Sequence, residues 1–194
     1  MSNGAQKWSM MDMPEHKYPD LKIIHCCHPD CRPLENIMRL PKDKAFALAK
    51  KLADSHPDTT AFYRFSDFEN YYRLRKASDA LLRSKFISLG GRPDIKHPYS
   101  FALEGSDYLD RWFGCGNKTM LSLSSIPDHA VSFTYGDSVA TYQNNGRHEL
   151  VTKMMLFAKI AEFENRSDDF LVYIRGKCRY LEVQVWCSLP RPLP

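Results

Sequence analysis

The sequence lacks the features that mark several large classes of protein. No stretch of its 194 residues approaches the roughly 18 to 20 consecutive apolar residues that span a bilayer. Glycine is scarce, with 9 residues, and no repeat is visible, which excludes collagen. Charged side chains such as Lys7 and Asp12 occupy the first twenty residues, where a secretion signal has an apolar core. We therefore expect a cytoplasmic protein that makes no membrane contact.

Two common nucleotide-binding motifs are also missing. The sequence contains neither the Gly-x-x-x-x-Gly-Lys-Ser/Thr loop that cradles phosphates nor the Gly-x-Gly-x-x-Gly turn of dinucleotide-binding sheets. The six cysteines do not form a secreted framework, because three are crowded into residues 26–31 and the other three are scattered among apolar neighbours. The cysteines are therefore predicted to be reduced thiols.

What remains is the composition of one globular domain with a modest basic excess. Hydrophobic residues make up 43% of the chain and charged residues 26%, with a formal net charge of +4. The length predicts one domain, residues 59–194, preceded by an N-terminal extension, residues 1–58. That extension is predicted to contain a flexible arm, a short strand over Leu21–Cys27 and a helix that begins after Pro41.

The alternation of strand and helix patterns predicts an α+β fold with a split mixed or antiparallel sheet and flanking helices. Residues 61–65 and 170–174 are predicted strands because they are short runs rich in apolar side chains. A helix of about five turns is predicted to begin at the capping box of Ser66 and Glu69. A further helix is predicted over residues 149–163, and a last strand over residues 180–186.

Two charged residues stand out within predicted strands. Because side chains alternate along a strand, Glu182, Gln184 and two aromatic residues share one face of the last strand, opposite Leu181 and Val183. That face could meet water or form the wall of a cleft. Arg64 is the only charge in its predicted strand, and its planar guanidinium suits a phosphate, although an ion pair with Asp67 is the alternative.

A third candidate is the Ser132-Phe133-Thr134 segment, which places two hydroxyls on one face of a predicted strand. An arginine on an early strand before a helix, a Ser-x-Thr on a middle strand and a glutamate within Tyr-Leu-Glu-Val-Gln-Val-Trp resemble the Arg, Ser-Thr and Glu elements of the mono-ADP-ribosyltransferase family, bacterial toxin members above all. The resemblance covers roughly residues 60 to 188.

The resemblance implies a sheet of ADP-ribosyltransferase type and transfer of ADP-ribose from NAD, the substrate, to a macromolecular acceptor in a toxin or phage-defence setting. Arg64 would grip the NAD phosphate and ribose, and Glu182 would be the catalytic acidic group. Ser132 and Thr134 would brace the site, which also takes in Gln184. Aromatic residues would stack on nicotinamide, for which Tyr99, Tyr135 and Trp186 are the candidates.

The predicted five-turn helix indicates a nucleic-acid acceptor. Residues 42–96 contain twelve Lys/Arg against seven Asp/Glu, and an outer helix face with five cations suits a phosphate backbone. The predicted contacts are Arg73, Arg75, Lys76, Arg83 and Lys85. The alternatives are a solvated amphipathic helix with a protein acceptor, a nucleic-acid-binding protein, or a non-enzymatic binding module of a toxin-antitoxin or defence complex, with an antitoxin or chaperone as its partner.

A metal site has weaker support. His25, Cys27 and Cys31 offer half of a zinc site, but a second half at the usual spacing is absent, so buried thiols are the default. Adjacent side chains on a strand also point apart, which keeps Cys26 and Cys27 from facing one ion. Asp107, Asp110 and Asp137 are too dispersed to predict a metal-dependent nuclease. No metal is assigned to the predicted catalytic site.

Overall fold

The computed structural model describes residues 19–189, so the predicted N-terminal arm lies outside the described residues. Between residues 19 and 189, six strands and six α-helices follow one another, with short 3-10 turns between them. The strands are β1 Lys22–Cys27, β2 Tyr99–Leu103, β3 Asn117–Ser122, β4 Val131–Tyr135, β5 Leu150–Thr152 and β6 Leu181–Val185. The helices are α1 Lys42–Ser55, α2 Phe68–Ser88, α3 Asp107–Trp112, α4 Ser138–Asn145, α5 Lys153–Ala161 and α6 Ser167–Lys177. In this part of the chain, no helix has the length and apolar character needed to cross a membrane.

The six strands form one sheet in the order β3-β1-β2-β6-β4-β5, and their pairings are antiparallel. The last strand therefore lies inside the sheet, between β2 and β4. In this register Glu182 lies between Ala102 on β2 and Thr134 on β4. The predicted α+β class is confirmed, while the ADP-ribosyltransferase type of sheet stays a prediction.

Helices cover both faces of the sheet. On one face, Val183 and Phe133 pack with residues of α5 and α6, such as Ile160 and Phe170, in the main hydrophobic core. On the other face, Trp186 stacks on Phe86 of α2, with 6.1 Å between ring centroids. Both faces of β6 are therefore buried, and the prediction that one of them meets water is wrong.

The predicted N-terminal extension shares this sheet. β1 pairs with β2 on one side and with β3 on the other. The predicted boundary at residue 58 therefore does not coincide with a boundary of the sheet.

Several predicted elements differ in the structure. Residues 60–65 form a 3-10 helix rather than a strand, because the Thr59 hydroxyl caps the segment by accepting from the Ala61 N–H. Helix α2 is capped by Asp67 rather than by Ser66. The predicted strand at residues 170–174 lies in α6, where two apolar side chains four residues apart share the buried face. Residues 150–152 fall within the predicted helix 149–163 but form β5, since they pair with β4, and α5 begins at Lys153.

Gly116 allows the chain to turn closely past the end of β1, which leads to a first prediction. A Cβ at Gly116 would lie 2.3 Å from the Cys27 carbonyl oxygen and 2.7 Å from the Pro29 Cδ. We expect Gly116→Ala to lower the free energy of unfolding by about 1–3 kcal/mol, because backbone must shift to relieve the overlap. Gly176→Ala is the matched control, since a Cβ there meets nothing within 4 Å. Denaturant unfolding measures both, and equal stability of the two variants would contradict the prediction.

Candidate functional site

A cleft of about 420 Å³ opens beside β1 and β2, and its walls come from elements that are distant in sequence. Segment 60–65 and helix α2 supply one wall, and α3 together with the residues around β6 and α4 supplies another. The lining is rich in aromatic and charged side chains. These include His25, His28, Arg64, Tyr71, Arg75, Tyr99, Tyr108, Asp137, Arg179 and Tyr180.

Glu182 lies directly behind this cleft. Its side chain is almost entirely buried, and its Oε1 accepts a hydrogen bond of 2.9 Å from the hydroxyl of Ser100, which lines the cleft. Its Oε2 accepts a 2.7 Å bond from the backbone N–H of Ser138, at the start of α4. Burial raises the pKa of Glu182, while the Arg75 guanidinium and the Ser138 N–H oppose that rise. Glu182 therefore lies next to the cleft but does not line it, because Ser100 stands between the carboxylate and the cleft.

Arg75 is the guanidinium that the structure places next to Glu182. Its Nη1 lies 4.0 Å from Glu182 Oε1, and its Nη2 donates to the Ser100 hydroxyl at 3.1 Å. Its Nε lies 3.0 Å from Asp79, one turn further along α2. Burial lowers the pKa of Arg75, but Asp79 and its other anionic neighbours raise it more, so the side chain stays charged. The prediction that Arg75 lies on an outer, nucleic-acid-binding face is wrong, because these partners hold it inside.

Arg64, on segment 60–65 of the same wall, reaches the same region. Its Nη1 donates to Asp137 Oδ2 at 3.2 Å, and its Nε donates to the Tyr63 hydroxyl at 2.9 Å. Asp137 immediately precedes Ser138, whose N–H binds Glu182. Arg64 and Glu182 are therefore both attached to the turn that begins α4. The predicted alternative partner, Asp67, is instead the cap of α2.

Three of the residues predicted to bind NAD form a buried network away from the cleft lining. Gln184 accepts from the Ser132 hydroxyl at 2.9 Å and donates to the Thr134 hydroxyl at 2.8 Å. The indole N–H of Trp186 also donates to the Ser132 hydroxyl, at 2.8 Å. Ser132 and Gln184 have no exposed surface, so their predicted contact with a ligand is wrong. The hydroxyl and amide groups of this network form hydrogen bonds with one another beneath α2.

The two predicted tyrosines have different positions. Tyr99 lines the cleft, and the guanidinium of Arg39 lies 4.5 Å from its ring centroid. Tyr135 packs on the opposite face of the sheet, against the main hydrophobic core, because it alternates with Thr134 along β4. Tyr99 also belongs to the main hydrophobic core, so it differs from Tyr135 in bordering the cleft, where the Arg39 guanidinium lies over its ring.

Several lining residues were not predicted from the sequence. Arg179 lies over the ring of Tyr108, with 4.4 Å from its Cζ to the centroid, and Tyr108 stacks on Tyr180. His25 donates through Nδ1 to the Ser100 carbonyl at 2.8 Å, which leaves Nε2 as an acceptor. Burial lowers the pKa of His25, so the ring is neutral. A polar residue inside the apolar run LKIIHCC was a signal for His25 of the same kind as the one used for Arg64.

The remaining predicted nucleic-acid contacts divide into two groups. Arg73 and Lys76 are exposed on α2. Lys85 and Arg83 are half-buried. The Lys85 ammonium donates to the backbone carbonyl of His148, and the Arg83 guanidinium donates to the backbone carbonyl of Pro93. Two of the five predicted cations are therefore fully available at the surface of this helix.

The structure does not bring the ligand atoms of the predicted zinc site together around one point. His25 points to Ser100, while Cys27 Sγ lies 3.8 Å from the Cys31 carbonyl oxygen. Burial raises the pKa of Cys31 to about 11, which disfavours the thiolate that zinc requires. Within residues 19–189, the His, Cys, Asp and Glu side chains close enough to share an ion are His28, Asp30 and His56.

The candidate site thus consists of a cleft with three arginines and several tyrosines, and of a buried glutamate behind it. Comparison of the chain with protein-family models, curated proteins and solved structures gives no match. The chemistry of the cleft is therefore inferred from its side chains, since no related protein indicates it.

The buried network gives a second prediction. Ser132→Ala removes the partner of both Trp186 Nε1 and Gln184 Oε1, so we expect a loss of about 1–3 kcal/mol in the free energy of unfolding. Because Ser132 lies outside the cleft, ligand affinity should not change. Ser124→Ala, at an exposed serine, is the control for stability. Weaker ligand binding by a folded Ser132→Ala protein would instead restore the ligand-binding role that the sequence predicted.

Proposed function

We propose that the cleft binds NAD and that the protein transfers ADP-ribose from NAD to a macromolecular acceptor. The observation that carries this proposal is the position of Glu182, which lies behind the cleft and is bound to Ser100, Arg75 and the turn that holds Arg64. Such an arrangement places a fixed negative charge close to bound ligand in a site of low dielectric.

The charges and rings of the cleft suit a dinucleotide. Arg64 and Arg179 offer guanidinium groups for a pyrophosphate, which prefers planar, charge-assisted donors. Tyr99, Tyr108 and Tyr180 offer faces or edges for the nicotinamide and adenine rings. Opposing acidic charge on the lining comes from Glu35 and Asp137, and Asp137 is already paired with Arg64.

The proposed chemistry uses the negative charge of Glu182. Breaking the bond between ribose and nicotinamide develops positive charge on the sugar, so a carboxylate fixed nearby stabilises the transition state more than the ground state. Burial and the neighbouring Asp137 carboxylate raise the pKa of Glu182, and Arg75 and the Ser138 N–H oppose that rise, so the negative charge depends on these two partners. Asp79 in turn fixes Arg75, which makes Arg75 a positioning residue for the carboxylate.

Nucleic acid is the acceptor that we propose. Helix α2 provides Tyr71 and Arg75 to the cleft, and the same helix presents Arg73 and Lys76 to solvent. A polyanion held by these cations would lie along a wall of the cleft. Arg179, which is exposed at the cleft, adds a third cation for the backbone.

Removal of the carboxylate tests the reaction. We expect Glu182→Gln to lower transfer of labelled ADP-ribose from NAD by roughly 100-fold or more, because a preorganised charge partner of the transition state is lost. The variant is nearly isosteric but loses the ion pair with Arg75 and one accepted hydrogen bond, so we expect it to fold with about 1–3 kcal/mol less free energy of unfolding and to keep its NAD affinity, which calorimetry measures separately from transfer. Glu162→Gln, at an exposed glutamate paired with Lys159, is the matched control.

The acceptor is tested in the same assay by offering RNA, DNA and a protein extract separately. Label on nucleic acid supports the proposed acceptor, whereas label on protein alone would move the proposal to a protein acceptor. Absence of NAD binding in calorimetry, together with absence of transfer to every acceptor, would refute the enzyme and leave the non-enzymatic binding module.

Ligand binding gives a separate prediction for Arg64. We expect Arg64→Gln to raise the Kd for NAD about tenfold or more, since a hydrogen bond to a charged group is worth about 1.5–3 kcal/mol. Arg73→Gln is the matched control, because Arg73 is exposed and donates a hydrogen bond to the nearby Asn70. Calorimetric titration with NAD measures both, and an unchanged Kd for Arg64→Gln would exclude the assigned phosphate contact.

A further inference from the structure

Two histidines and an aspartate meet at the mouth of the cleft, although they come from two different elements. His28 and Asp30 lie in the turn that follows β1, and His56 is the C-cap residue directly after α1. His28 also lines the cleft. One potential ligand atom from each of the three residues lies within 4.8 Å of the others.

The spacing of these atoms is close to that of a tetrahedral metal site. His56 Nε2 lies 2.8 Å from Asp30 Oδ2, and His28 Nδ1 lies 3.9 Å from the same oxygen. Metal–ligand bonds of about 2.0–2.2 Å at tetrahedral angles place neighbouring ligand atoms about 3.3–3.6 Å apart. The two observed distances lie on either side of that range, so small rotations of the side chains would bring the three atoms around one ion.

The two imidazole rings are held in place by packing. Their centroids are 4.7 Å apart, and Phe62, which is buried, lies 4.9 Å from the ring of His28 and 5.5 Å from that of His56. The Asp30 N–H donates to His28 Nδ1 over 3.3 Å, a long bond that a metal ion could replace. Rings fixed in this way need little reorganisation to bind an ion.

We propose that His28, Asp30 and His56 form a binding site for a divalent transition-metal ion, with zinc as the best match. Imidazole nitrogen and carboxylate oxygen are both ligands of zinc, and a set of three protein ligands leaves a coordination position open. The Asp30 side chain is 58% exposed, so an ion can enter from solvent. Because His28 also lines the cleft, the ion lies at the cleft mouth, where its open position is available to water or to an anionic group of a ligand.

An ion pair between Asp30 and His56 explains only part of this arrangement. It accounts for the 2.8 Å contact but not for the second imidazole, whose Nδ1 faces the same carboxylate oxygen. Two protonated imidazoles so close together would repel each other, whereas two neutral ones can share an ion. The proposal is independent of NAD, so it stands or fails separately from the transferase activity.

Titration of the metal-free full chain with ZnCl₂ and with CoCl₂ tests the site. We expect about one equivalent of Zn²⁺ to bind and the melting temperature to rise with Zn²⁺ concentration. Asp30→Asn and His56→Gln should weaken binding roughly 10- to 100-fold or more, since loss even of a residue that only orients a ligand costs this much. Asp30→Asn alters a mostly exposed side chain, so circular dichroism should show it folded.

Two controls separate this site from other histidines and from the thiols. His129→Gln changes an exposed histidine elsewhere and should bind Zn²⁺ as the wild type does. Cys31→Ser should also keep the affinity, and the Co²⁺ spectrum should lack the intense near-ultraviolet charge-transfer band of cobalt–thiolate bonds. Affinity that persists in both Asp30→Asn and His56→Gln, or that disappears in Cys31→Ser, would overturn the assignment, as would a wild type that binds no Zn²⁺.

Discussion

The burial of a carboxylate in the middle of the sheet is the constraint on which the candidate site depends. Taking a charge out of water costs several kcal/mol unless close partners replace the lost hydration. Glu182 obtains those partners from three directions: Ser100 on the neighbouring strand, the Ser138 N–H at the start of α4, and Arg75 on α2. Each partner belongs to a different element, so the requirements of one side chain fix the position of α2 and α4 against the sheet. The cleft is the space that this packing leaves beside them.

Local features of the site could be predicted from the sequence, whereas features that depend on contacts between distant elements could not. The alternation of β6 is a local property, so the sequence placed Glu182, Gln184 and Trp186 on one face, and the structure confirms it. Whether that face meets water depends on α2, which is more than ninety residues away in sequence. The burial of Arg75 was hidden for the same reason. On α2 it resembles Arg73 and Lys76, and only its contacts with Asp79 and Glu182 distinguish it.

Arg64 shows how a wrong local prediction can still identify a relevant residue. The aromatic run around it has strand propensity, but the Thr59 cap and the packing of Phe62 and Phe65 stabilise a 3-10 helix instead. The guanidinium nevertheless reaches Asp137, next to the turn that binds Glu182. The hydroxyls of Ser132 and Thr134 show the reverse case, since their strand was predicted correctly and their role was not. A strand pattern gives the face on which a hydroxyl lies, but the element that covers that face decides whether it can meet a ligand.

β1 and α1 connect the cleft to the three-residue cluster at its mouth. β1 contributes His25, which binds the Ser100 carbonyl, and its end leads into the turn of His28 and Asp30. α1 ends at His56 in the same cluster. Without β1, the facing edges of β2 and β3 would expose their backbone N–H and C=O groups, because β1 is the strand that joins them. The sequence assigned residues 1–58 to an appended extension, but these residues complete the sheet through β1 and contribute to the cleft wall. A functional unit that begins at residue 59 would lack both β1 and that part of the wall.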